Sequence, residues 1–505
     1  MILLAHFFQA CLVHEYFSDC LLIEKMIPLI KNKNGDVSSM DNYRSIALSS
    51  IFLKIWDCVI LLVYGDKLEA GSMQFGFQSQ SGTELCTWTL IEAIDYYVNR
   101  GSKAYVCYMD CSKAFDKVLH SKLFAKIHGS GIHPLFSRLL LYSYQHQSAA
   151  VSWEGSLSRR FLVRNGVRQG AVLSPVLFNF YTSELFSILS KCGAGARIDD
   201  LYYGLFGYAD DLGLLSSTLE GLQTMLKETE KYAEEHNIMF SSNDIIAKSK
   251  TKASVFGLGR GVDPDHHLVL NNKALPWVDK AKYLGSIISN GDSPLLDDMK
   301  SKRARYIDNV HSLSQEFAWA HPAVKCQIND IYNTSIYGAN LYPLGSKFHK
   351  QLINSHSTAV RLLWDLPRNT HRYLIESLSG RHLQTKLLTN MLGFYRRLEG
   401  SHKPEVGNLF RIVRDDVRTT TGANCRILEN IGVEMGLIPQ EGSFSEIELR
   451  QFKKMHRFAE VPSDEVYRIG LLNELLSIKT HFSYFEEEEF SVDDVNSMII
   501  DICTS

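Results

Sequence analysis

Two adjacent aspartates, Asp210 and Asp211, stand in the stretch LFGYADDLGLLSS (205–217), between two runs of mostly apolar residues. Adjacent carboxylates repel each other, and Asp is depleted in strands. A hairpin that carries both at its tip therefore needs a positive partner there. A divalent metal ion meets that need: Mg2+ takes oxygen ligands and commonly binds through one or two carboxylates together with substrate phosphates. A third acid, Asp110, closes the segment KAYVCYMD (103–110), whose β-branched and aromatic residues read as a strand. If the two strands are neighbours in one sheet, acids 100 residues apart converge. Two metal ions held there would stabilise both the attacking and the leaving oxygen of a phosphoryl transfer. On these residues alone an ordinary polar turn is the competing explanation, because Asp is a common turn residue.

The elements around the acids can be read coarsely. Residues 2–23 are apolar and mostly helix-like, a buried helix rather than a signal peptide, since a basic leading region and a small-residue cleavage site are both missing. KMIPLI (25–30) reads as a strand, KNKNGD (31–36) as a turn, and residues 45–68 as a mostly buried helix after a short approach. Residues 82–101 form a cleaner helix, with Thr83 placed to cap it and Gly101 at the expected stop. In SPVLFNFYTSELFSIL (174–189), Ser174 suits an N-cap and Pro175 the first helical position. Residues 222–236 are an amphipathic helix, 252–258 and 281–289 read as strands, and the signal from about 300 onward is mainly helical. Gly213 falls just after the acids, where a glycine is expected to interrupt and weaken the strand.

Composition bounds the function classes. The 505 residues are 45% hydrophobic and 22% charged, enough for two large domains or three smaller ones, and no apolar run is long and clean enough for a membrane span. Ten scattered cysteines form no C-x-x-C pair and no zinc-type cluster, which points to reduced thiols in an intracellular setting, nucleus or cytoplasm. The net charge of −3 hides a strong division: residues 300–418 carry +9, and residues 419–505 carry −9. The basic block opens with KSKRAR (300–305) and is interleaved with Trp319, Tyr332, Trp364, Tyr373 and Tyr395. That is the footprint of a polyanion-binding surface, or else a solvated helical bundle. The acidic run FEEEEF (485–490) is assigned no function.

In their order and spacing, YMDCSKAFD (108–116), NGVRQGAVLSPVLFNFY (165–181) and FGYADDLGLL (206–215) resemble reverse transcriptases, specifically those of non-LTR (LINE-like) retrotransposons. NYRSIALSSIFLKIWD (42–57) and QFGFQSQSGTELC (74–86) are similar to fingers motifs of that family. Residues 243–259 and KYLGSIIS (282–289) are similar to later palm motifs, and residues 361–380 to a segment that follows the thumb.

The resemblance implies an α+β right-hand polymerase with an antiparallel palm sheet. Fingers and palm would occupy 1–295, a helical basic thumb and post-thumb region 296–425, and an acidic C-terminal region 426–505. It implies an RNA-directed DNA polymerase acting on an RNA template, a DNA primer and dNTPs with two Mg2+ ions. Asp110 and Asp210 match the metal ligands, Asp211 the supporting acid, and Cys111 a backbone contact to metal and triphosphate. Arg44, Phe115, Gln169 and Gly170 match nucleotide-binding positions, Phe115 as the gate against a ribose 2′-OH. Tyr208, Tyr283, Leu284 and Gly285 match primer and template positions, and Lys250 and Lys252 face either phosphate or solvent. The sequence begins almost on the polymerase region, so the expectation is a chain lacking the N-terminal endonuclease of many such elements. The alternative function is a decayed, non-polymerising nucleic-acid-binding remnant.

Overall fold

The computed structural model describes residues 2–452 except 34, 242–248, 258, 260–266, 292, 371–374, 376–377, 379–382 and 441. The acidic run at 485–490, and parts of the motifs at 243–259 and 361–380, lie outside the described residues. The chain divides into two compact units, Met1–Leu284 and Gly285–Ser505.

The first unit holds two sheets. One contains β1 (Ile23–Ile30), β2 (Tyr43–Leu48), β4 (Ser148–Trp153), β5 (Ser156–Leu157) and β6 (Phe161–Leu162), in the order β2-β1-β4-β5 with β6 also on β4. Its β1 and β4 run parallel, while β1 and β2 are antiparallel. The helices α1 (Ile2–His14), α2 (Ile51–Tyr64), α5 (His120–Gly129), α6 (Pro134–Gln145) and α7 (Ser174–Lys191) share an aromatic core centred on Trp56, which stacks on Phe136 at 5.4 Å. The apolar N-terminal segment is a helix as expected, but it packs by one side only: Phe8 and Cys11 are buried, whereas Ile2 and Leu3 are exposed. The short approach to α2 is the whole of strand β2.

The second sheet is the antiparallel palm, ordered β11-β3-β10-β9, from β3 (Ala104–Met109), β9 (Leu205–Tyr208), β10 (Asp211–Ser216) and β11 (Lys252–Phe256). Helices α3 (Thr83–Val98), α7 and α8 (Leu219–Glu235) pack against it. Burial is nearly continuous along β3, β9 and β10 rather than alternating, because both faces of the sheet are covered. Two expected caps shift by one residue. Gly82, not Thr83, precedes α3, and Ser174 is already the first helical residue of α7, after Leu173.

Gly213 does not break its strand. It pairs with Tyr108 on one side and Phe206 on the other, inside an uninterrupted β10. A Cβ there would lie 3.3 Å from the Tyr283 hydroxyl and 3.5 Å from its Cζ. Tyr283, at the end of β14 (Lys280–Tyr283), is 4% exposed and also packs on Tyr108, so the missing side chain makes room for a buried ring. Gly213→Ala is expected to change stability by less than about 1 kcal/mol, since lost chain entropy and a tight contact oppose each other. Gly213→Val overpacks the site and is expected to cost about 1–3 kcal/mol, read from urea midpoints.

The second unit, within its described residues, is mainly helical, from α9 (Leu296–Glu316) through α10 (Pro322–Tyr332), α11 (Lys347–Leu363), α12 (Leu383–Glu399) and α13 (Pro404–Arg414) to α14 (Thr420–Glu434). The KSKRAR run does not present all its charge outward. Lys302 is 5% exposed and pairs with Asp298 at 2.9 Å, and it also donates to the Tyr337 carbonyl at 2.6 Å. Among the interleaved aromatics, Trp319 and Tyr332 are largely exposed, Tyr395 is core, and Tyr373 lies outside the described residues. Among the described residues, no helix is long and apolar enough to cross a membrane.

Candidate active site

Strands β9 and β10 are joined by a two-residue turn, with Asp211 paired to Tyr208 and Ala209-Asp210 at the tip. Ala209 adopts φ +56°, a left-handed conformation where glycine is the usual residue of such turns. On the other side of β10, Leu212 pairs with Met109. One antiparallel step further, Asp110 comes level with Asp211, so the three acids gather at one end of the palm sheet.

Their electrostatics are those of crowded carboxylates. Burial raises the Asp210 carboxyl above its ordinary range; its own backbone N–H lowers it, Asp110 raises it further, and Arg44 lowers it. Burial, with the charges of Asp210 and Asp110, pushes Asp211 up to about 6. The Cys111 thiol is driven to about 12 by burial and by Asp210 and Asp110, so it stays neutral and is no thiolate ligand. Its backbone is differently placed. Ser112 donates to the Met239 carbonyl at 2.8 Å, and Ser241 to the Asp110 carbonyl at 2.8 Å. Neither bond of this bridge uses the N–H or C=O of Cys111, which in such a non-hydrogen-bonded pair point the other way.

Cations face these acids. Arg44 is exposed on β2, and Lys250 reaches the Asp110 carboxylate at 3.7 Å. Lys113 pairs with Asp41 at 2.8 Å. Phe115 is half-buried, stacked on Phe178 at 4.7 Å and 13° and edge-on to Phe77 at 6.5 Å. The loop 166–170 ties these parts together. Val167 donates to the Phe115 carbonyl at 2.8 Å, Ala47 on β2 donates to the Gln169 carbonyl at 2.7 Å, and the Gln169 amide donates to Asp116 at 2.7 Å. Gly170, at φ +110°, lies so close to β2 that a Cβ would sit 2.9 Å from the Ala47 carbonyl. Phe115, Gln169 and Gly170 are thus tied to one another and to β2, whose Arg44 acts by its charge on Asp210. Tyr208 flanks the acids on β9. Tyr283 does not join them: its ring points into the palm, its hydroxyl donating to the Phe206 carbonyl at 3.4 Å. Leu284 and Gly285, at φ +46° and +84°, form the turn beyond it. Lys252 lies on β11 beside Tyr108.

Sequence reasoning passed over the group that holds loop 166–170 from beneath. Arg168 is 3% exposed; its Nε lies 3.1 Å from Glu24 and donates to Gln147 at 3.2 Å, and its Nη2 donates to the Ser143 carbonyl at 2.9 Å. The ring of Tyr144 lies 4.5 Å from its guanidinium carbon. Gln147 also donates to Glu24 at 2.7 Å, and the carboxylate of buried Asp57 accepts from the Leu173 N–H at 3.2 Å. A charged residue within an apolar helix, as Asp57 is in IFLKIWDCVIL, was the available signal.

Among the described residues, no three His, Cys, Asp or Glu side chains gather closely enough to hold a metal ion unaided. The donor set still fits a hard divalent cation: desolvated, mutually repelling carboxylates supply oxygen, and the open backbone at Cys111 supplies more. The remaining ligands would come from substrate phosphates, as is usual for Mg2+.

An antiparallel palm sheet with acids at one end, covered by helices and accompanied by a second sheet that carries Arg44, is the architecture of a right-hand polymerase. The profile of the reverse transcriptase (RNA-dependent DNA polymerase) family matches residues 30–288, and the chain belongs to that family. Similar curated proteins are retrotransposon polymerases of the non-LTR kind. The Pol polyprotein of the type-1 retrotransposable element R2 from Popillia japonica is 27% identical over 260 residues, 50% of this chain and 36% of that protein. The RNA-directed DNA polymerase from mobile element jockey of Drosophila melanogaster is 24% identical over 371 residues, 68% of this chain and 38% of that protein. The chain therefore spans little more than a third of the length of these relatives. Among solved structures, apo telomerase from Candida tropicalis is similar with a TM-score of 0.40 and 13% identity, covering 86% of this chain and 69% of that one.

Proposed function

We propose that this chain is an RNA-directed DNA polymerase of the non-LTR retrotransposon type, extending a DNA primer with dNTPs on an RNA template. The observation that carries the reading is the meeting of Asp110, Asp210 and Asp211 at one end of the palm sheet, with the charge of Arg44 acting on Asp210. Asp110 and Asp210, with the Cys111 backbone, would hold two Mg2+ ions. Bound there, the ions would lower the cost of ionising the primer 3′-OH and offset charge on the triphosphate. Arg44 meets triphosphate oxygens, for which a guanidinium fork is well suited. Phe115, pinned by Phe178, would crowd a ribose 2′-OH and favour deoxynucleotides. Gln169 and Gly170 bring backbone close to the nascent base pair, and Tyr208 with the Leu284–Gly285 turn lies toward the primer. Exposed Trp319 and Tyr332 of the second unit suit stacking on nucleic-acid bases.

Primer extension on an RNA template with dNTPs and Mg2+ tests the reading; a folded wild-type chain that extends no primer overturns it. In the same assay Phe115→Val is expected to relax discrimination against ribonucleotides by about 10–200-fold, the range of one steric contact in a specificity pocket. Unchanged discrimination would remove Phe115 from the gate role. Salt-sensitive RNA binding without extension is the result that would favour the remnant instead.

A further inference from the structure

The catalytic turn is gripped by a side chain 135 residues earlier in the sequence. Segment 73–75 lies along β9 through a parallel bridge between Gln74 and Gly207. Phe75 donates to the Gly207 carbonyl at 2.7 Å, and Gly207 donates to the Met73 carbonyl at 3.0 Å. Where β9 ends, the fully buried Gln74 side chain takes over from the backbone. Its Oε1 accepts from the Ala209 N–H at 2.8 Å, and its Nε2 donates to the Ala209 carbonyl at 3.3 Å. One primary amide thus holds both polar groups of Ala209, the way a neighbouring strand would.

Two further contacts lock the amide in place. Its Oε1 also accepts from the Gly76 N–H at 2.9 Å, and Asn179 of α7 donates to the Gly76 carbonyl at 2.7 Å. Gly76 is pressed against the turn, and a Cβ on it would lie 2.3 Å from the Ala209 nitrogen. The grip matters because Ala209 is left-handed, a conformation that costs an L residue roughly 1–2 kcal/mol. The Ala209 carbonyl and the Asp210 N–H belong to one peptide plane, from whose far end the Asp210 side chain hangs. Holding that plane through the Ala209 carbonyl therefore fixes the backbone that carries the acid.

We propose that Gln74 is a positioning residue for the metal-binding acids, holding Ala209 in its left-handed turn so that the Asp210 carboxylate keeps its aim beside Asp110. The inference rests on the polymerase reading above, and its test separates the two. Gln74→Met keeps the length and burial of the side chain and removes all three bonds. Mn2+ binding to the free protein, followed by electron paramagnetic resonance, is expected to weaken about 10–100-fold, the usual effect of losing an outer-sphere partner. The kcat for primer extension is expected to fall by a comparable factor, while KM for dNTP and affinity for the RNA–DNA duplex stay within about twofold. A buried amide with a purely structural role would lower the melting temperature and leave Mn2+ affinity and kcat of the folded protein alone. That result overturns the proposal. If Gln74→Met does not fold, Asn179→Leu removes one support further from the turn. It is then expected to weaken Mn2+ binding in the same direction by a smaller factor, and Mn2+ binding equal to wild type overturns the proposal. A wild-type chain that extends no primer, yet loses Mn2+ on Gln74→Met, would sink the polymerase reading and leave the grip standing.

Discussion

Replacing Asp210 by Asn is expected to abolish primer extension, by about 10³-fold or more, without unfolding the protein. Asn keeps the shape and removes the charge. The activity falls because a preorganised charge in a desolvated site is worth several kcal/mol of transition-state stabilisation. The fold survives for the opposite reason. Asp210 is pushed up by burial and by Asp110, and Asp211 by burial and by both of its acidic neighbours, so the folded site holds these carboxylates together against desolvation and mutual repulsion. Removing one charge relieves that repulsion, and the melting temperature is expected to stay level or rise, as at other active sites where function and stability pull apart. Extension assays and thermal melts on the same preparation check both halves. Full activity in this variant would exclude the assigned mechanism.

Arg168→Met carries the largest expected stability effect, a loss of about 3–5 kcal/mol in denaturant unfolding. Met keeps the apolar stem and lacks the guanidinium, so the variant leaves Glu24, 0% exposed, without its cation and the Ser143 carbonyl without its donor in the low-dielectric core. Burial already raises the carboxyls of Glu24 and Asp57, and the nearby guanidinium is the largest opposing influence on each. Adding Glu24→Gln to Arg168→Met is therefore expected to recover part of the loss, because it removes the stranded charge. Activity should fall more steeply than stability alone predicts, since Arg168 directly precedes Gln169 and Gly170.

The convergence of the acids was legible because its signals are local. The Asp-Asp pair is unusual in an apolar setting, Asp110 ends a strand-like segment, and the motif order from Arg44 to Gly285 carries the family. The supports were not legible, because their meaning is made by contacts across the chain. Gln74 in QFGFQ looks like any loop glutamine until β9 lies beside it. Gly213 reads as a strand breaker in one dimension and is a seat for the Tyr283 ring in three. Tyr283 reads as a primer contact by its motif, yet the ring is spent on the palm interior and only the turn beyond it is left outside. Lys302 reads as part of a basic stripe, and Asp298, four residues before it, takes its charge inside. Cap positions were displaced by one residue because the local signals at Gly82-Thr83 and Leu173-Ser174 suit either neighbour.

The Arg168 network also has a consequence in time. Glu24, Asp57, Ser143, Gln147 and Arg168 come from four separate stretches of the chain, and the ion pair between Glu24 and Arg168 closes a loop of 144 residues. None of these groups can leave water at acceptable cost until the others have arrived. Burial of the network is therefore a late event in folding, governed by long-range closure rather than by local propensity. A nascent chain that has not yet released Arg168 is expected to keep both acids facing solvent, with the loop that carries Gln169 and Gly170 set only when that last cation docks.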